Sequence, residues 1–158
     1  STASMIGSIV YGCTGTGVAM NSTAGSPLIM GNTIVANTGD GIDIITGSTL
    51  LQQILHNVIT DNGGYGIDGV SAANASAAAY NRFRDNTLGN TNLATDWLAA
   101  TSWGDVTTDT GGAATDYVNS GSNDYRLING SPAQNMIYGG AAGAYQFKGG
   151  ISSGWGGF

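Results

Sequence analysis

The chain repeats itself every 24 or 25 residues, and that period constrains its fold more than any other feature. "NTIVANTGDGIDI" (32–44) and "NVITDNGGYGIDG" (57–69) share Asn in first place, Ile in third, Asn in sixth and Gly-x-Gly-Ile-Asp near the end. The same phase reaches back to "SIVYGCTGTGVAM" (8–20) and forward to "NRFRDNTLGN" (81–90). Aligning the four copies produces columns. Val10, Ile34, Ile59 and Phe83 form one, and Val18, Ile42 and Ile67 a second. Ile6, Met30, Leu55 and Ala79 form a third, and Cys13, Asn37, Asn62 and Asn86 a fourth. Gly15, Gly39 and Gly64 align, as do Gly17, Gly41 and Gly66.

A leucine-rich repeat has a similar length, but its Leu-x-x-Leu-x-Leu pattern is missing. A β-sandwich spaces short strands regularly, yet gives no reason for Asn and Gly to keep one phase. A parallel β-helix does. Each coil supplies about three short strands, and the next coil stacks about 4.8 Å away, so equivalent residues sit above one another. The three apolar columns are then expected to fill the interior. The Gly columns should serve turns of positive φ or close backbone approach. Stacked Asn37, Asn62 and Asn86 should form an amide ladder along the axis, with Cys13 as its small terminal member. Composition agrees: 27 glycines, only 9 % charged residues, and ten acidic residues that are all Asp favour strands and turns over helices.

The expected fold is therefore all-β, a parallel β-helix of about four to six coils with a Gly-rich C-terminal tail. Residues 1–90 should be regular coils, and 91–146 irregular final coils with an excursion and a closing segment. Within that part, Tyr117 and Val118 are expected on one strand and Tyr125 to Leu127 on another. Residues 147–158 should form the tail. The opening "STASMIGSIVYG" has neither an initiator Met nor a charged start, so the chain reads as a piece of something longer. Cys13 is the single cysteine and has no intrachain disulfide partner; a small buried apolar role is expected. The net charge of −6, with Arg82, Arg84, Arg126 and Lys148 as the only basic residues, argues against nucleic acid and anionic membrane surfaces. No apolar run reaches the ~18 residues of a membrane helix, so no membrane insertion is expected.

The "N-x-I-x-x-N-x-G-x-G-I" phrasing resembles the coil repeat of the right-handed parallel β-helix superfamily, the pectate-lyase-like fold. A second resemblance lies in "NDYRLINGSPAQNMIYGGAAGAYQ" (123–146), similar to a closing segment of many secreted and phage β-helix proteins. Asp124, Tyr125, Arg126, Leu127, Gly130, Ser131, Pro132 and Ala133 match it, as do Gly143, Ala144 and Tyr145. The acidic turn usual between these groups is replaced by "QNMIYGG". Right-handedness follows from the resemblance and from the crossover rule. The superfamily includes lyases, hydrolases, epimerases, adhesins and phage proteins, so the likeness implies a fold before an activity.

Three constellations are candidates for chemistry. Asp43 and Asp68 follow the inward Ile of equivalent strands, so both should face outward about one coil spacing apart. They are candidates for Ca²⁺ binding or, with Arg84, for a catalytic groove; otherwise they are a solvated surface. Asp61 and Asp85 lie near Arg82 and Arg84, whose side chains should point out because Phe83 points in. A surface salt bridge is the plain expectation there, and Gly12 and Ala36 occupy the places where a lyase-like site needs more acids. His56 is the only histidine and no Gly-x-Ser-x-Gly elbow accompanies it, so a structural or exposed role is expected. Tyr65, Trp97 and Trp103 are candidates for stacking on glycans. The favoured reading is a non-catalytic module of a virion or cell surface, such as a phage capsid decoration, fibre or tail-associated protein. It would act as a homotrimer or against other surface subunits, without a cofactor. The alternative is a fragment of a polysaccharide lyase or hydrolase, or a glycan-binding module.

Overall fold

The computed structural model describes residues 3–20, 27–45, 53–69, 77–93, 117–128 and 131. Twelve of its strands come in successive triplets: β1 Ser4–Ile6, β2 Ile9–Tyr11 and β3 Val18–Met20; β4 Leu28–Met30, β5 Thr33–Val35 and β6 Ile42–Ile44; β7 Gln53–Leu55, β8 Val58–Thr60 and β9 Tyr65–Gly69; β10 Ala77–Ala79, β11 Arg82–Arg84 and β12 Gly89–Leu93. Each triplet is one coil. The strands stack into three four-stranded parallel sheets, ordered β1-β4-β7-β10, β2-β5-β8-β11 and β3-β6-β9-β12. We call these the first, middle and third sheets. The fold is a right-handed parallel β-helix. The pairings Val10↔Ile34, Ile34↔Ile59 and Phe83↔Ile59 reproduce the repeat residue for residue.

The core is a stack of aliphatic rungs. Ile29, Ile34, Ile42, Ile44, Ile54, Ile59, Ile67, Ala78 and Phe83 are all buried in one cluster, with Met5, Val10, Val18 and Leu93 packed against it. Each large side chain in these rungs contributes about 1.5–3 kcal/mol by leaving water. One column differs from expectation. Ile6, Met30, Leu55 and Ala79 face outward; the first sheet's inward residues are Met5, Ile29, Ile54 and Ala78. Leu28-Ile29-Met30 is apolar at every position, so alternation carries no phase there, and three-residue strands offer no longer pattern to correct it.

The corners on either side of the middle sheet share one device. A single residue in the left-handed region is followed by a stacked residue, half-buried in the first coil and buried in the next three. At one corner the left-handed residues are Gly7, Gly31, His56 and Tyr80; at the other they are Gly12, Ala36, Asp61 and Asp85. The aligned glycines Gly17, Gly41 and Gly66 are therefore not the positive-φ positions. They serve close approach: a Cβ on Gly41 would lie 2.6 Å from the Ile59 side chain and 2.7 Å from the Gly66 carbonyl.

Strands β13 (Tyr117–Asn119) and β14 (Asp124–Leu127) pair antiparallel with each other, joined by a 3-10 turn at Ser120–Ser122 that ends on Asn123 in the left-handed conformation. The two strands run where the sequence placed them. Instead of stacking as a coil, this hairpin packs on the outer face of the middle sheet, where Tyr117, Tyr125 and Leu127 form a second buried cluster with Val35 and Val58.

Candidate functional site

The stacked corners carry two asparagine ladders. In the expected one, Asn37 Nδ2 donates to Asn62 Oδ1 at 3.0 Å, and Asn62 Nδ2 to Asn86 Oδ1 at 2.8 Å. Each Oδ1 also accepts a backbone N–H from the previous coil, and Nδ2 spends a second hydrogen on a carbonyl: Asn62 on Ile34, Asn86 on Ile59. Cys13 begins the ladder through its backbone N–H, 3.0 Å from Asn37 Oδ1; its thiol is free and only half-buried. A second ladder, not anticipated, runs through Asn32, Asn57 and Asn81 with the same geometry, and Ser8 begins it. Its signal was in the sequence: Asn opens the second, third and fourth repeats. The buried amides are structural, as burial without satisfaction would cost about 1–3 kcal/mol each.

The outer face of the middle sheet holds Arg82 and Arg84. Arg82 and Arg84 do point away from the solenoid interior, but they are buried, at 0 % and 2 % exposure, and do not form a solvated surface pair. The hairpin covers Arg84 through Tyr117. Arg84 Nη2 lies 3.1 Å from Asp61 Oδ2, and its guanidinium carbon is 5.8 Å from the centre of the Tyr117 ring. Asp85 is 3.5 Å from Arg84 Nε. Tyr117 fastens the hairpin through its hydroxyl, 2.6 Å from Thr60 Oγ1. Tyr125 packs edge-on to Tyr117 and against Tyr11, and burial, with the Asp61 charge next, raises its phenol pKa. On β14, Arg126 pairs with Asp124 through Nε at 2.6 Å.

The third sheet carries Asp43 and Asp68. Asp43 and Asp68 are register partners on β6 and β9, and both are half-buried on the outer face. Asp68 Oδ1 accepts from Asn92 Nδ2 at 3.1 Å. Burial first, then the charges of Asp68 and Asp40, holds the Asp43 carboxyl above its ordinary range. Asp40 itself accepts the Tyr65 backbone N–H at 2.6 Å. Asp43 and Asp68 are thus brought together, but Arg84 is on a different sheet, beneath the hairpin, so the convergent groove of Asp43, Asp68 and Arg84 is not assembled. Among the described residues, no group of three or more His, Cys, Asp or Glu side chains is arranged to hold a metal ion.

His56 sits at a left-handed corner and stacks on Tyr80, with ring centres 5.1 Å apart and planes 17° apart. Burial lowers its pKa. Tyr65 is half-buried at the start of β9. Trp97, Trp103 and the Gly-rich tail lie outside the described residues.

A family model described as "Right handed beta helix region" matches residues 1–88, more than half of the 158-residue chain. No curated protein and no solved structure matches it.

Proposed function

The chain belongs to the right-handed β-helix family, and from that premise we propose that it is a non-catalytic structural module of a virion or cell surface that works as an oligomer. The observation that carries this reading is the outer face of the first sheet. Its outward columns are Ser4, Leu28 and Gln53 beside Ile6, Met30, Leu55 and Ala79, with no charged residue, and Ile6 is 58 % exposed. The other two outer faces differ: the middle one is covered by the hairpin, and the third bears Asp43 and Asp68. For a chain of net charge −6, the first sheet is the described face on which a second acidic subunit meets no carboxylate, and apolar area there favours association. Both asparagine ladders and the pairing of buried Arg84 with Asp61 are architectural, which supports a scaffold over an enzyme. A phage capsid decoration or fibre subunit, assembled as a homotrimer, is the specific form we favour.

Sedimentation equilibrium tests it. The wild-type chain should sediment at the mass of a trimer, and the Ile6→Lys, Leu55→Lys double variant should sediment as a folded monomer. A wild-type chain that stays monomeric at all concentrations overturns the oligomer. Asp43, with its raised pKa and its position beside Asp68, supports a second reading as a polysaccharide-acting fragment; turnover on an acidic glycan, lost in Asp43→Ala, would establish that reading instead.

A further inference from the structure

Asn62 is followed by Gly63, and among the described ladder asparagines it alone has glycine after it. Asn-Gly is the dipeptide most prone to deamidation, because glycine leaves its own nitrogen free to reach the side-chain carbonyl. We propose that Asn62–Gly63 is a latent deamidation site that the ladder locks, so that opening the third coil chemically marks the chain and makes its unfolding irreversible.

The reaction requires the Gly63 amide nitrogen to lose its proton and attack Asn62 Cγ. The N–Cγ bond forms, the Cγ–Nδ2 bond breaks, and Nδ2 leaves as ammonia after taking up a proton. Water then opens the resulting succinimide at either carbonyl, leaving aspartate or isoaspartate. Every participant is immobilised in the folded chain. The Gly63 N–H donates to the Asn37 carbonyl at 2.8 Å, which withholds the proton from base. Asn62 is 0 % exposed. Its Oδ1 accepts from the Asn37 backbone N–H and Nδ2 at 3.2 and 3.0 Å. Its Nδ2 donates to Ile34 O and Asn86 Oδ1 at 3.3 and 2.8 Å. Cγ meets the Gly63 nitrogen only after the side chain leaves the ladder, which breaks four hydrogen bonds.

The product does not fit back. A carboxylate at position 62 offers Ile34 O and Asn86 Oδ1 a second acceptor where each now receives a hydrogen, and it places an ionised group at a fully buried position. Isoaspartate adds a backbone carbon between two positions whose registers with Asn37 and Asn86 are fixed. The glycine is retained for a separate reason: a Cβ on Gly63 would collide with the Thr38 carbonyl. The corner thus demands the residue that makes its neighbouring asparagine vulnerable.

The test is peptide mapping by mass spectrometry of the whole chain, held at one mildly alkaline pH in native buffer and in denaturant. Asn129–Gly130, the other Asn-Gly pair in the sequence, serves as the comparator. In denaturant the two sites should convert at rates of the same order. In native buffer Asn62 should convert slower by about a hundredfold or more, because the reaction then draws only on the opened population. Equal rates at Asn62 in the two buffers would overturn the lock. Refolding supplies the second reading: native protein recovered from denaturant should be depleted of the modified peptide, and equal content in the refolded and rejected fractions overturns the mark. Asn62→Asp should be less stable than wild type at neutral pH and regain stability in acid, where the protonated carboxyl can donate. A variant as stable as wild type at neutral pH also overturns the mark.

Discussion

An asparagine in these ladders is held by both ends of its amide, and position along the stack decides what its loss costs. Truncating Asn62 to alanine removes the acceptor of the Asn37 N–H and Nδ2 and the donor to the Ile34 carbonyl, and leaves Asn86 Oδ1 only the residue-62 backbone N–H. At about 1 kcal/mol net per bond, and more for groups left buried, Asn62→Ala should cost about 3–5 kcal/mol in urea unfolding. Asn86 is the last ladder member among the described residues and is 8 % exposed, so Asn86→Ala should cost about half as much; the reverse order would mean that the amides do not act as a chain. His56 gives a pH-dependent counterpart. Its Nδ1 is buried with no hydrogen-bond partner among the described residues, and burial lowers its folded pKa from the ordinary 6.5. The neutral ring is favoured in the folded state, so its contribution is complete above pH 6.5 and is lost as pH falls from there through the folded pKa. His56→Asn, which suits a left-handed corner, should retain stability at pH 5 better than wild type does, as followed by thermal melts against pH.

The hairpin β13–β14 is the element that converts a repeat into a particular molecule. It packs on a middle-sheet face that changes character along the axis, from Ile9 and Tyr11 through Val35 and Val58 to Arg82 and Arg84. Leu127 is fully buried against Val35 and Val58, so Leu127→Ala should cost about 2–5 kcal/mol. Tyr117→Phe, which removes the bond to Thr60 and leaves that buried hydroxyl unpaired, should cost about 1–3 kcal/mol. Hydrogen exchange should then speed up at β13 and β14 before it does in β5 and β8; uniform acceleration would mean that the hairpin and the coils unfold as one unit. The period made the strand stack legible, because a fixed 24- or 25-residue offset is a property of sequence alone. It also exposed Asn37, Asn62 and Asn86. What remained illegible lies outside the period. Thr60 meets Tyr117 across 57 residues of chain, and nothing in either repeat marks the face on which a hairpin will land. The hairpin that lands there turns Arg84 from an expected surface ion-pair partner into a buried one. The outward turn of Met30 and Leu55 was hidden differently, by a strand apolar on both sides.

At the scale of the whole molecule, charge is segregated. The chain carries −6, Arg84 is paired beneath the hairpin, and on the third sheet burial first, then the charges of Asp68 and Asp40, raises the Asp43 pKa. An acid whose folded pKa is raised binds its proton more tightly in the folded state. Asp43 therefore opposes folding above its folded pKa, and that penalty disappears as pH falls to the unfolded value. Asp43→Asn should accordingly be more stable than wild type at neutral pH, and the difference should vanish in acid. The same strain separates two accounts of the acids. Sodium chloride should stabilise the wild type by screening, on the order of 1 kcal/mol for a close exposed pair, and should stabilise Asp43→Asn less. Calcium would add to this only by direct coordination, which takes about six to eight oxygens. Asp43 and Asp68 supply two carboxylates, and one Asp68 oxygen is engaged by Asn92. Thermal melts in calcium chloride and in sodium chloride of equal ionic strength should therefore coincide. A rise specific to calcium and absent from Asp43→Asn would mean that the two carboxylates form part of a cation site, and the penalty assigned to Asp43 would then be what the bound cation relieves.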